Sequence, residues 1–168
     1  MPDNASPSLH RLDLVFADRP MPAGLSIRGH SHKLGECGLA FFRAARLDYS
    51  DSNFPTCLDD APLLLPGAGA TVRGLIDRWL SEKRLLPCIV GEFDDGALMK
   101  AFGQAGAGYF PGPALLKEEI CSRYEVKCVG QTEEIHESFW AISAERRINH
   151  PAIKTVVSAA RSMFSADG

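Results

Sequence analysis

The clearest periodic signal is an apolar stripe at Val72, Leu75, Ile76, Trp79 and Leu80, whose offsets of 0, 3, 4, 7 and 8 place all five on one helix face. A short apolar run at 63–65 precedes it and reads as a strand. The next strand covers 87–92, and Asp94 or Asp95 can cap a helix carrying Ala97, Leu98, Ala101 and Phe102 and ended by Gly103. A strand with a glycine-rich entrance follows at 106–111, then a helix over 114–124 and strands at 126–129 and 138–143. Asn149-His150-Pro151 opens a last helix with apolar positions at Ile153, Val156, Val157, Ala160 and Phe164. Upstream, strands are expected at 12–17, 25–28 and 37–42, with 43–62 irregular except for one helical turn near 56–59. Pro20 stops the first strand and leaves Asp18 and Arg19 at its carboxyl tip. Alternating strands and helices predict an α/β fold with a largely parallel sheet. The first third supplies strands without crossover helices, so either they pair as an antiparallel edge or their helical partners lie in sequence outside this chain.

Composition narrows the class. The 168 residues are 45% hydrophobic, 23% charged and 8% aromatic, which excludes a disordered chain, a collagen-like chain and a disulfide scaffold. A formal charge of −3 supplies no basic field for gripping nucleic-acid phosphates. Cysteines at 37, 57, 88, 121 and 128 form no C-x-x-C pair, and a reducing cytoplasm is expected. Cys88 and Cys128 lie in apolar runs and are expected to behave as small buried hydrophobes. No secretory leader and no apolar run of about 20 residues is visible, so no membrane is expected as a partner. Residues 1–8 are polar and expected to fray.

Candidate chemistry gathers at strand ends. The string GAGATV at 67–72 leaves a strand and opens a helix, which suits an anion cradle or simply a tight turn; it completes neither a dinucleotide fingerprint nor a P-loop. Glu92-Phe93-Asp94-Asp95 is the densest acidic cluster at a strand's carboxyl end, where open α/β sheets place ligands. It could hold a cation or a polar ligand, or one Asp could cap the helix while the other faces solvent. Arg19 could fork onto a ligand carboxylate with Asp18 orienting it, or the two could form a surface pair. His30 and His32 with Glu36 and Cys37 are metal-ligand types, but alternation turns the last pair from the first, and loop histidines are expected instead of a zinc site. Glu133-Glu134-Ile-His136-Glu137 reads as a solvated face leading into a strand. No nucleophile motif is found, and no cofactor, metal or enzymatic activity is expected.

These residues carry a family resemblance. The block at 63–80 and the glycine-rich segment at 103–114 resemble the effector-binding domain of LysR-type transcriptional regulators. The stretch at 89–103, with 12–20, 34–38 and 144–151, is similar to the NhaR-like branch, whose members activate sodium/proton antiporter genes. The resemblance covers nearly everything between Leu9 and Phe164 and implies a two-lobed periplasmic-binding-protein-like (type 2) fold. It puts a first lobe at 9–43 plus 132–168, a second at 44–131, and a ligand cleft between them. Cleft-lining positions of the family match Arg19, Thr71 and Asp94, with Asp18 and Asp95 as neighbours.

The family's winged helix-turn-helix, linker helix and opening β-α-β segment are not seen, so the first lobe is expected to be N-terminally truncated, with open sheet edges that favour association. The implied function is an effector-binding domain of a transcriptional activator, sensing a small molecule or ion, with Na+ implied by the branch alone. Expected partners are further copies of itself or intact regulator subunits, with DNA reached only through a helix-turn-helix outside this chain. The alternative is a stand-alone solute-binding module of the same fold; a small acid–base isomerase using Asp94 or His136 is the third reading.

Overall fold

Leu63, Leu64 and Leu65 are all buried, and they occupy successive positions of strand β3 (Pro62–Pro66). Neighbouring strand residues point to opposite faces, so such a run needs cover on both sides. Leu63 and Leu65 join one core with Phe41, Ile76, Trp79 and Tyr109. Leu64 joins another with Phe42, Met99, Phe110 and Ile120. The expected amphipathic helix, α1 (Thr71–Glu82), packs Val72, Ile76, Trp79 and Leu80 into the first. Helix α2 (Gly96–Gln104) gives Met99 to the second, and α3 (Lys117–Tyr124) gives Ile120. Each face of one strand thus carries its own helix layer.

This computed structural model describes residues 13–23, 29–47, 53–144 and 147–165. They divide into two compact units, one holding the residues up to Gly35 and from Phe139 onward, the other Glu36–Ser138. In the larger unit, β3 runs parallel to β4 (Cys88–Phe93). On its other side Leu63 bridges Tyr109 in parallel, just ahead of β5 (Phe110–Pro113). Leu64 N donates to Tyr109 O and Tyr109 N to Pro62 O, both at 2.8 Å. A Cβ on Gly108 would lie 2.6 Å from Pro62 O, which explains the glycine-rich entrance to this strand.

Two long strands, β2 (His30–Ala44) and β6 (Val126–Ser143), run through both units. With β1 (Leu14–Ala17) and β5 they form a sheet in the order β1-β6-β2-β5. β5 pairs antiparallel with β2, and β1 pairs antiparallel with β6, Leu14 facing Ser143 and Ala17 facing Trp140. The smaller unit has its own core of Leu34, Ala141 and Val157, with Phe139 packed on Phe164 at 5.4 Å between ring centroids. Helix α4 (Pro151–Ser165) begins on its proline, as expected.

Several expectations change. The sheet is not largely parallel: β1–β6 and β2–β5 pair antiparallel, while β3 pairs parallel with β4 and bridges Tyr109 in parallel, where helices carry the chain back between neighbouring strands. Of the strands without crossover helices, β1 pairs antiparallel at the edge of its sheet, whereas β2, which contains 37–42, lies inside it. His30 and His32 lie on β2 and not in a loop. The strands expected at 126–129 and 138–143 are one strand, and the acidic 133–137 segment is part of it, with Ile135 buried between exposed Glu134 and His136. Gly103 lies inside α2; the helix instead ends through Gly106 at φ +91°, with Gly106 N donating to Gly103 O and Ala107 N to Phe102 O. Cys88 is exposed, because β4 lies at the border of its sheet. The strand expected at 25–28 lies outside the described residues.

Two helical glycines separate packing from propensity. A Cβ on Gly74 of α1 meets nothing within 4 Å, whereas one on Gly103 of α2 would collide with the buried Phe110 ring. In urea unfolding, Gly74→Ala is expected to stabilise the chain by up to ~1 kcal/mol through helix propensity. Gly103→Ala is expected to destabilise it by ~1–3 kcal/mol through overpacking despite the same propensity gain.

Candidate functional site

The two helices that follow the parallel strands start side by side at the strands' carboxyl ends. Gly67 N donates to Phe93 O at 2.8 Å, tying the end of β3 to the end of β4. Ala70 N then donates to Gly67 O at 3.0 Å, closing a tight turn into α1 at Thr71. Ala70 brings no side-chain cap, and the first turn of α1 holds no acidic residue of its own. The start of α2 is different: Asp95 Oδ1 accepts from Ala97 N at 2.7 Å and Leu98 N at 3.2 Å. Asp95 is a helix cap.

Asp94 is exposed, and its carboxylate lies against the turn that leads to Thr71. A Cβ on Gly67 would collide with Asp94 Oδ1, so a glycine there is what lets the carboxylate approach the backbone. Of the five residues expected from the sequence, the structure places Thr71, Asp94 and Asp95 at this strand–helix junction. Arg19 and Asp18 lie in the smaller unit, just beyond β1, as a forked pair with Nε–Oδ1 at 2.9 Å and Nη2–Oδ2 at 3.2 Å. That bond and charge hold the Arg19 guanidinium above its ordinary pKa.

Arg73 is the residue that sequence reasoning missed. Its Nη2 donates to Glu92 Oε1 at 2.7 Å, its Nη1 to Pro66 O at 2.8 Å, and its Nε to both Asp77 carboxylate oxygens at 3.1 Å. One guanidinium thereby joins α1 to the ends of β3 and β4, and its side chain is only 16% exposed. Its hydrogen bond, and then its charge, hold the Glu92 carboxyl below the usual glutamate range. Glu92 is therefore engaged structurally, and the acidic cluster divides into three tasks: Glu92 pairs, Asp95 caps, Asp94 faces outward. The i,i+4 spacing of Arg73 and Asp77 was readable as a helix-face pair, but nothing local pointed to Glu92.

The remaining candidates stand apart. His32 Nε2 lies 3.1 Å from Ser143 Oγ, and His30 is exposed. Burial chiefly pushes the Cys37, Cys57 and Cys128 thiols up, so they stay protonated at neutral pH. Among the described residues no three His, Cys, Asp or Glu side chains cluster as metal ligands. No described helix is long and apolar enough to cross a membrane. His136 lies on β6 with Nε2 3.5 Å from Glu133 Oε2.

Residues 10–165 match the family described as the LysR substrate binding domain. The chain belongs to this family. Over 149 residues it is 34% identical to the transcriptional activator protein NhaR of Escherichia coli (strain K12), covering 89% of this chain and 49% of that protein. The chain thus spans about half the length of the curated relatives it matches. Among solved structures, the effector domain of the regulator AmpR of Pseudomonas aeruginosa superposes with a TM-score of 0.65 at 15% identity, over 93% of this chain and 74% of that one. The apo regulatory domain of HypT from Salmonella typhimurium gives 0.59 at 17% identity, over 92% and 73%. The fold is that of the periplasmic-binding-protein-like (type 2) effector-binding domains of LysR-type regulators, as the family resemblance implied.

In this LysR-family domain the three acids should be separable by experiment. Asp95→Ala is expected to cost ~0.5–2 kcal/mol in denaturant unfolding through loss of the cap, whereas Asp94→Ala should stay within ~0.5 kcal/mol. The depressed Glu92 carboxyl adds stability that is present above the ordinary glutamate range and lost as pH falls through its folded value. Glu92→Gln should therefore flatten the acid limb of a plot of stability against pH, and should leave a smaller difference from the parent at low pH than at neutrality.

Proposed function

We propose that this chain is the effector-sensing part of a LysR-type transcriptional activator of the NhaR-like branch, acting in the cytoplasm and without enzymatic activity. The observation that carries this reading is the strand–helix junction of the larger unit, where the start of α1 at Thr71 and the exposed Asp94 carboxylate both stand at the carboxyl ends of parallel strands. A helix N-terminus attracts an anionic or carbonyl-type group, and Asp94 suits a donor or cationic group on the same ligand. In the smaller unit Arg19, oriented by Asp18, is the corresponding anchor for a carboxylate. Asp95 serves the site by setting the start of α2. The two units correspond, in this reading, to a first lobe at 9–43 plus 132–168 and a second at 44–131.

Sodium is the ion the branch suggests. A selective Na+ site needs several hard oxygen ligands, and Asp95 is already committed to its helix. We therefore favour a small polar organic effector. Operator contacts belong to a helix-turn-helix outside this chain, and the partners are further copies or intact regulator subunits.

Thermal melts of the chain with sodium chloride, with potassium chloride at equal ionic strength, and with a panel of small carboxylates test this reading. An effector at 100 times its Kd adds ~2.7 kcal/mol, a rise of several degrees in Tm. Thr71→Val, Arg19→Ala and Asp94→Ala are expected to abolish that rise while leaving the unliganded Tm nearly unchanged. A ligand-induced rise untouched by all three variants overturns the site, and one seen only with sodium overturns the organic effector.

A further inference from the structure

Of the five cysteines, Cys57 is buried in the first core, Cys88 is exposed on β4 and Cys37 lies on β2. Cys121 and Cys128 are both partly buried, and both pack on the second core, with Phe42, Phe110, Ile120 and Val126. The local chain path brings these two together. Helix α3 ends at Tyr124, and Glu125 turns the chain through the left-handed region at φ 52°, its N–H donating to Cys121 O. β6 then starts at once with Val126. Val126 and Cys128 are alternate positions and share a face of the strand, while Cys121 and Tyr124 lie about one turn apart on the helix. Away from the turn, three helical residues climb about 4.5 Å and two strand residues about 6.6 Å. Cys121 on α3 and Cys128 on β6 therefore stand at similar heights above the core they share. Burial chiefly pushes the Cys128 thiol up, and after burial the strongest upward push comes from Cys121. Each sulfur is thus within reach of the other's charge.

We infer that Cys121 and Cys128 form a redox-active dithiol, which a two-electron oxidant of the hydroperoxide class closes to a disulfide that ties α3 to β6. The two thiols have different tasks. Cys128 donates its S–H to Gly130 O at 3.5 Å and stays protonated, so the first attack falls to Cys121. The Cys121 thiolate attacks a peroxide oxygen, the O–O bond breaks, and Cys121 becomes a sulfenic acid while water or an alcohol leaves. The Cys128 sulfur then attacks the Cys121 sulfur. The S–S bond forms, the S–O bond breaks, and the hydroxyl leaves as water with the Cys128 proton. The two thiols lose two electrons and two protons in all, and the peroxide takes them up. Closure also costs Cys128 its hydrogen bond to Gly130, on a strand that both units share. In a reducing compartment such a bond is transient, which suits a sensor of oxidant and not a structural staple. The inference does not rest on the effector reading, since Arg19, Thr71 and Asp94 take no part.

Peptide mapping by mass spectrometry tests it on the full, folded chain treated with hydrogen peroxide and then with iodoacetamide. A Cys88→Ser background removes the exposed thiol that would otherwise couple chains, and far-UV circular dichroism confirms that each variant is folded. Cleavage after Arg123 and Lys127 leaves the two cysteines on separate peptides, so the disulfide appears as a linked pair. The Cys121–Cys128 pair is expected to be the main product, to vanish with dithiothreitol, and to raise Tm by several degrees over the reduced chain. Cys128→Ser is expected to form no such pair and to hold Cys121 as a sulfenic acid that a dimedone probe labels. Cys121→Ser is expected to give neither the pair nor the label. A folded chain that keeps both thiols, one that joins either of them to Cys37 or Cys57 instead, or a pair that forms only in urea overturns the proposal. A dimedone label on Cys128 in the Cys121→Ser variant overturns the order of attack.

Discussion

The burial of β3 on both faces is the constraint from which the larger unit follows. Three adjacent leucines cannot share one face of a strand, so Leu63 and Leu65 demand one apolar layer and Leu64 another. Helix α1 answers the first demand and helices α2 and α3 the second. A parallel strand covered on both sides must be reached by crossovers, and these deliver the helix starts to the same end of the sheet. The candidate site is a consequence of this packing: Thr71 and Asp94 are placed by the connections that β3 forces.

What the junction does chemically depends on how three acids and one arginine are shared out. Arg73 is held among Glu92, Asp77 and the Pro66 carbonyl, which locks the ends of β3 and β4 to α1. Asp95 is consumed by the first turn of α2. Asp94 is left facing outward, beside a glycine whose missing side chain makes room for it. In the proposed effector-binding reading, a ligand group arriving there would meet hydrogen-bonded backbone on one side and a carboxylate on the other, the kind of preorganisation that lowers the entropic cost of binding.

Much of this was legible beforehand. The stripe of α1, the strand–helix alternation from Leu63 to Tyr124, the proline-led α4 and the family itself could be read from residue patterns. The misreadings share a cause. β2 and β6 read as fragments in the sequence because their polar stretches, 30–36 and 131–137, lack the density of apolar residues that marks a buried strand. A long strand tolerates polar side chains wherever its faces meet solvent, and hydrogen bonding to neighbours keeps it continuous. Cys88 departs from its pattern for the opposite reason: an apolar run signals burial only if something covers it, and β4 is a border strand among the described residues.

The sequence by itself determined the local periodicities, hence which segments are helices and where the glycine-rich and acidic turns fall, and it carried enough family pattern to imply the fold. Only the tertiary structure decided the assignment of partners: that Asp95 and not Asp94 caps α2, that Glu92 answers to Arg73 nineteen residues earlier, and that among the described residues β4 pairs with β3 alone. The physical reason is range. Helix and strand preferences arise from side-chain spacing within a few residues, whereas ion pairs, caps and exposed edges depend on which distant segments the packed core brings together.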